Sequence, residues 1–263
     1  MLQYPNIDPV AVSIGPVQIH WYGLMYVLGI GSAWLMARHR ANRLNLTPQQ
    51  IDDLIFYCAL GIVIGGRVGY TLFYNLPSFL ENPLSFFKVW EGGMSFHGGF
   101  LGVFVSCAIF GKKVGRGVFS ITDFIIPMVP IGLFFGRLGN FINGELWGKT
   151  TDIGWAMVFP GAGLLPRHPT QLYEAFLEGI VLFIILWFYS RVSRPTMLVS
   201  GIFLFLYGIF RFCVEFVRVP DEHLGYLAFG WVTMGQVLSV PMIMAGLLLF
   251  YIGKSGGIRR SSF

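Results

Sequence analysis

Charge is scarce in this sequence. Only 12% of its 263 residues are Asp, Glu, Lys or Arg, about half the share of an ordinary soluble domain. Uncharged apolar stretches of about 18 or more residues recur instead, a pattern that excludes a disordered chain and argues against a soluble enzyme. Cysteine is nearly absent too. Cys58, Cys107 and Cys213 each fall inside an apolar run, which predicts packing residues, neither a disulfide framework nor a nucleophile. No basic patch exists: the formal charge of +5 is spread over the ends of apolar segments, so nucleic acid is not an expected partner. The opening residues, MLQYPNIDPVAVSIG, lack a basic region and a cleavage site, and no removable signal peptide is expected. There is no internal repeat, and no low-complexity region beyond the tail SGGIRRSSF.

What is abundant is apolar and aromatic. Hydrophobic residues make up 55% of the chain and aromatics 17%, with 26 Phe. The expected fold is an all-α polytopic membrane protein, a single domain over residues 1–263 with seven transmembrane helices. The spans fall at about 21–37, 53–73, 94–111, 118–136, 172–189, 197–217 and 231–252. The second starts with Thr47 as N-cap, Pro48 at the first helical position and Gln50 closing a capping box. Ser120 and Asp123 suggest a similar cap for the fourth, which favours a structural role for Asp123.

Basic residues orient the spans. Arg38, Arg40 and Arg43, then Lys112, Lys113 and Arg116, then Arg191 and Arg194, then Lys254, Arg259 and Arg260 follow alternate spans. These are eleven of the 18 Lys and Arg residues, and the positive-inside rule assigns their side to the cytoplasm. The N-terminus is then outside and the C-terminus inside. Residues 74–93 (YNLPSFLENPLSFFKVWEGG) mix Phe, Trp and Pro and read as an interfacial segment lying on the bilayer. Residues 137–171 form the longest outer connection, a small head segment.

On that topology the costly intramembrane polar groups share one depth. Tyr22, Arg67, Tyr70, His97, Arg137, Asn140, Glu145, Glu174, Glu178, Arg211, Glu215 and Arg218 all come to the outer side. Several arginines beside few acids favour an anion, and a planar guanidinium matches phosphate bidentately. Cytoplasmic nucleotide cofactors are poorly placed to reach such a site, so none is expected. Bland roles compete at each position. Arg211, Glu215 and Arg218 form one helix stripe that serves equally as a structural ion-pair network. Glu174 and Glu178 can simply pair with Arg67. Gly61-x-x-x-Gly65, Gly98-x-x-x-Gly102 and Gly132-x-x-x-Gly136 read as close helix packing. Pro127, Pro130 and Pro241 need only kink helices, and Trp21 and Tyr22 fit an aromatic belt.

Two stretches resist the bland reading. His97 lies in Gly92-Gly93-Met94-Ser95-Phe96-His97-Gly98-Gly99, where glycine pairs leave room for a ligand. No Cys or second His stands nearby at metal-ligand spacing, so no metal is expected. Free imidazole titrates near neutrality, which suits a proton acceptor or a head-group binder. The stretch GRLGNFINGELWG, residues 136–148, concentrates Arg, Asn, Glu and Gly where the fourth span leaves the bilayer. The expectation is a partly unwound backbone in protein-lined surroundings, with Arg137 holding an anion at head-group depth.

These motifs, in this order, resemble one family. His20-Trp21-Tyr22-Gly23-Leu24, Gly65-Gly66-Arg67-x-Gly69-Tyr70, the Gly92–Gly99 run, GRLGNFINGELWG, Arg167-His168-Pro169-x-Gln171-Leu172-Tyr173-Glu174 and Arg211-x-x-x-Glu215 are similar to the bacterial prolipoprotein diacylglyceryl transferases, over essentially the whole chain. The resemblance implies transfer of a diacylglyceryl group from phosphatidylglycerol to the lipobox cysteine of a prolipoprotein signal peptide, releasing glycerol phosphate. It implies a bacterial inner-membrane location with the site toward the outer leaflet. It also implies that Tyr22, His97, Arg137, Asn140, Gly148 and Arg211 matter for activity, with Glu145 and Glu215 in support. His97, Arg137 and Arg211 are the expected catalytic residues; Tyr22, Arg67, Asn140, Glu145, Gly148 and Glu215 are the expected substrate-binding ones. The competing class is a lipid or anion transporter with an outer-leaflet phosphate site.

Overall fold

The computed structural model describes residues 2–88, 92–220 and 225–260. It is mostly helical. Every one of the seven expected spans contains a helix: α1 (Trp21–His39), α2 (Pro48–Tyr74), α4 (Phe96–Lys113), α5 with α6 (Val118–Ile125 and Val129–Ile142), α7 with α8 (Thr170–Glu174 and Leu182–Tyr189), α9 (Leu198–Glu215) and α10 (Met234–Arg260). Five of them are long and apolar enough to cross a membrane: Pro48–Tyr74, Val118–Ile142, Thr170–Tyr189, Leu198–Glu215 and Met234–Gly256. The chain is therefore a multi-pass membrane protein. The other two, α1 and α4, are 19 and 18 residues long and carry Trp, Tyr, His or Lys at their ends.

Two compact units result: Trp34–Ile125, and Met1–Ala33 with Ile126–Phe263. In the first, α2 starts on the expected cap, with the Gln50 amide donating to Thr47 Oγ1 at 3.2 Å and the Thr47 amide to Gln50 Oε1 at 2.9 Å. Helices α2 and α4 pack backbone to backbone along Gly61, Gly65 and Gly69 against Gly98 and Gly102. A Cβ on Gly69 would stand 2.8 Å from Gly98 Cα, and one on Gly65 2.9 Å from Gly102 Cα, so larger residues cannot occupy this seam. Cys58 and Cys107 are buried, and Cys213, in the other unit, is exposed. At the helix ends carrying the basic residues, Arg38 and Trp34 Nε1 both donate to Asp52, and Lys113 pairs with Asp53 at 2.7 Å. The segment after α2 forms a short helix α3 (Leu76–Glu81) and a 3₁₀ turn Pro83–Phe87, with most of its residues exposed. Residues 89–91 of the expected interfacial segment lie outside the described residues.

In the second unit α8 and α9 share a core of Leu182, Leu186, Val199, Phe203 and Tyr207. Helix α9 also lies tight on α10, where a Cβ on Gly201 would meet Gly246 O at 2.8 Å. Four strands, unanticipated in the sequence, flank the helices. Strands β2 (Val10–Ile14) and β3 (Val17–His20) form an antiparallel hairpin, and β1 (Leu2–Gln3) pairs in parallel with β4 (Met157–Val158).

One local expectation is corrected and two are given their place in the chain. Helix α5 begins at Val118, and the Ser120 amide donates to Gly117 O at 3.0 Å, so Ser120 lies inside the first turn and does not cap it. The fourth span is not one helix, because it tightens to a 3₁₀ turn at Ile126–Met128 between α5 and α6. Pro127 and Pro130, which lack the amide protons an α-helix would use there, account for the break. Pro241, by contrast, sits inside a continuous α10. Finally, the GRLGNFINGELWG stretch stays helical through Ile142 and unwinds only afterwards.

Candidate functional site

That turn after α6 is built by its own side chains. Tyr4, from the chain's start, donates its hydroxyl to the carbonyls of Phe141 and Ile142 at 2.5 and 2.8 Å and so terminates the helix. Gly144 (φ +64°) and Leu146 (φ +59°) then take left-handed backbone, natural for glycine and strained for leucine. The Glu145 carboxylate accepts from Asn140 Nδ2 at 2.9 Å and Asn143 Nδ2 at 3.1 Å. Thr170 Oγ1 donates to Leu146 O at 2.8 Å, and Gln171 Nε2 donates to Glu145 O. Gly148 is packed on both sides: its amide donates to His168 O at 2.8 Å, and a Cβ there would lie 2.6 Å from Val217 O. It forms an antiparallel bridge with Arg218. Burial lowers the pKa of the His168 imidazole, whose Nδ1 lies 3.2 Å from the Tyr173 hydroxyl.

Beside this turn lies a buried charge cluster. Arg137 on α6 pairs through Nε with Glu174 Oε2 at 2.9 Å and through Nη2 with Glu178 Oε2 at 3.5 Å. Arg211 on α9 reaches Glu174 Oε1 at 2.6 Å and Glu215 Oε1 at 2.5 Å. Arg218 stands 3.5 Å from Glu174 and 3.6 Å from Glu215. Glu215 Oε2 in turn accepts from Thr233 Oγ1 at 2.6 Å. Thr233 is the N-cap of α10 in a second capping box, closed by Gln236. Only glycine fits at 235, because a Cβ would come within 2.6 Å of Glu215 Oε1.

Three guanidiniums thus face three carboxylates. The sequence expectation of few acids beside the arginines is corrected, as is the pairing of Glu174 and Glu178 with Arg67. The partition by depth matters more than the balance. The side chains of Arg137 and Arg211 keep 17% and 16% of their surface exposed, whereas Glu174, Glu178 and Glu215 keep 1%, 0% and 4%. The carboxylates therefore lie beneath and aim the guanidiniums, and an arriving anion meets arginine first. Among the described residues, Arg137 Nη1 has no protein acceptor, which leaves its donors for a ligand.

Tyr22, in the first turn of α1, lies against the same helix, where a Cβ on Gly139 would touch its ring at 2.8 Å. The structure therefore brings Tyr22, Arg137, Asn140, Glu145, Gly148, Arg211 and Glu215 into one unit. His97 and Arg67 belong to the other. There His97 is exposed in the first turn of α4, a turn capped by Ser95, whose Oγ accepts from the Gly98 amide at 3.2 Å. Arg67 is buried, and its guanidinium donates to the carbonyls of Ser85, Phe86, Lys88, Gly92 and Gly93. These bonds fold the segment that leads into His97. Sequence reasoning missed Tyr4, Thr233, Gly235 and Gln236, and gave Gln171 no role beyond its place in a motif. Only the Thr233-x-x-Gln236 capping box carried a local signal.

An arginine–glutamate cluster at the ends of apolar helices, beside a turn rich in Asn and Gly, defines an integral membrane protein with a buried charge cluster. Within that class, the sequence model of the prolipoprotein diacylglyceryl transferase family matches residues 9–252, and the chain belongs to this family. It is 60% identical over 252 residues to the phosphatidylglycerol–prolipoprotein diacylglyceryl transferase of Methylococcus capsulatus (strain ATCC 33009 / NCIMB 11132 / Bath), covering 95% of this chain and 96% of that one. The protein of the same name from Pseudomonas syringae pv. syringae (strain B728a) is 61% identical over 257 residues, 96% and 95% of the two chains.

Proposed function

We propose that this chain transfers the diacylglyceryl group of phosphatidylglycerol to the lipobox cysteine thiol of a prolipoprotein. The relatives' names carry the substrates; the partly exposed side chains of Arg137 and Arg211, paired with fully buried glutamates, are the observation that supports the chemistry. The incoming sulfur attacks the sn-3 carbon of the lipid glycerol, the carbon–oxygen bond to phosphate breaks, and glycerol phosphate leaves. Arg137 and Arg211 hold the phosphate and stabilise charge gathering on the leaving group. Glu174, Glu178 and Glu215 keep both guanidiniums aimed, and Asn140 and Glu145 shape the turn that borders them. Tyr22 lines the approach along α6. A free thiol has a pKa near about 8.5, so few thiolates exist at neutral pH. His97 accepts that proton. Arg67 orders the loop that presents His97, and Gly148 gives the turn its close contact with the backbone at Val217 and Arg218.

Seven spans, with the N-terminus outside and the site toward the outer leaflet of a bacterial inner membrane, complete this reading. It is supported by the eleven basic residues that follow alternate spans. Purified protein mixed with phosphatidylglycerol vesicles and a lipobox peptide tests it. A thioether-linked diacylglyceryl peptide is the expected product; lipid movement between leaflets without product would make the chain a transporter.

A further inference from the structure

Two buried acceptor oxygens lack a hydrogen-bond donor, and they share one helix face with Glu174 of the arginine cluster. Gln171 Oε1 and Glu178 Oε1 have no hydrogen-bond partner among the described residues, and between them Glu174 Oε2 has only its ion pair with Arg137 Nε. Gln171, Glu174 and Glu178 are 0%, 1% and 0% exposed. The spacing i, i+3, i+7 makes a single stripe down the start of the fifth span. Buried acceptors left unpaired are uncommon, and each asks for an explanation. The stripe runs alongside the arginine cluster, since Arg137 contacts both Glu174 and Glu178, and Gln171 holds the Glu145 carbonyl. Its lower part lies in a π-helical segment, Ala175–Val181, a form that recurs at functional sites. Gly179 lets that segment press on α6, where a Cβ would stand 2.7 Å from Phe134 Cβ.

Donors are what this stripe lacks, and hydroxyl groups are neutral donors. We propose that Gln171, Glu174 and Glu178 form a polyol-reading subsite that recognises the hydroxyls of the phospholipid head group, beside the phosphate held by Arg137 and Arg211. The inference rests on the phosphatidylglycerol reading above and deepens it. When phosphate draws the Arg137 guanidinium toward itself, the contacts to Glu174 and Glu178 open and their carboxylates need new donors. A glycerol head supplies two hydroxyls at that place. A phosphodiester of the same charge without hydroxyls leaves the carboxylates uncompensated, so selection follows from exchange of partners.

The experiment compares lipids on the intact protein. Transfer to a lipobox peptide is measured from vesicles of phosphatidylglycerol and from vesicles of phosphatidylethanol, which has the same single negative charge and no free hydroxyl. Wild-type protein should favour phosphatidylglycerol in kcat/KM by about tenfold or more, and in Glu178→Gln and Gln171→Met the ratio should fall toward one. Equal use of the two lipids by the wild type overturns the subsite outright, whether or not any variant folds. An unchanged ratio in the variants, however far both rates drop, also overturns it and leaves the stripe as support for Arg137. Absence of product from either lipid would instead overturn the transferase reading. Binding selectivity between the same two vesicles would then test the stripe alone.

Discussion

Arg137 is held by two carboxylates through different nitrogens, so its plane as well as its charge is fixed. A lysine at this position keeps the charge and loses the fork. Its single ammonium cannot meet both glutamates through separate nitrogens or grip a phosphate bidentately. Arg137→Lys should therefore lower kcat/KM by about a hundredfold, roughly 2–3 kcal/mol of transition-state stabilisation, while the protein still elutes as a folded species in detergent. Wild-type turnover in this variant would assign the arginine to packing. His97 invites a different test, because it is exposed among glycines and no ion pair fixes it among the described residues. His97→Gln keeps a hydrogen-bonding end and loses proton acceptance near neutral pH. Transfer should fall by about 10²–10⁴-fold with lipid binding retained. Raising the pH toward the thiol pKa should recover part of the rate, since solvent then supplies thiolate. Lost lipid binding without recovery at high pH would make His97 a head-group binder.

At the scale of elements, the α2–α4 seam depends on glycine. A methyl at Gly98 would stand 2.9 Å from Gly69 Cα, and rigid backbone cannot yield as a side-chain end can. Gly98→Ala should lower stability by about 1–3 kcal/mol, seen as earlier thermal unfolding in detergent. An unchanged midpoint would mean the two helices separate freely. Much of this element scale was legible in the sequence. Apolar run length put a helix in each expected span, five of them long and apolar enough to cross a membrane, and Thr47-Pro48-x-Gln50 placed one start to the residue. What escaped was set by distant partners. Strand β1 pairs with β4 some 150 residues away, and Tyr4 reaches Phe141 across a separation of 137. Arg137 meets Glu178 across 41, and no local period encodes such choices. The polar residues of the site were readable because charge is rare in this chain; which arginine each glutamate serves was not.

For the whole molecule, orientation is the testable property. Single cysteines near Asn82 and Asp152 should react from outside intact cells with a membrane-impermeant reagent, and one near Lys113 should not. The opposite pattern would turn the molecule over and move the arginine cluster to the other leaflet. The pairing of that cluster has a consequence for how the chain is made. Its arginine on α6, its two glutamates on the fifth span and its Arg and Glu on α9 emerge from the ribosome at different times. A lone charge costs about 2.5–3.5 kcal/mol at the centre of a membrane helix and less toward the end, where Arg137 stands. Helix α6, which waits longest for its partner, should therefore linger at the insertion machinery until the fifth span arrives. Truncating the nascent chain before Glu174 should leave α6 poorly inserted, and adding residues 170–189 should rescue it.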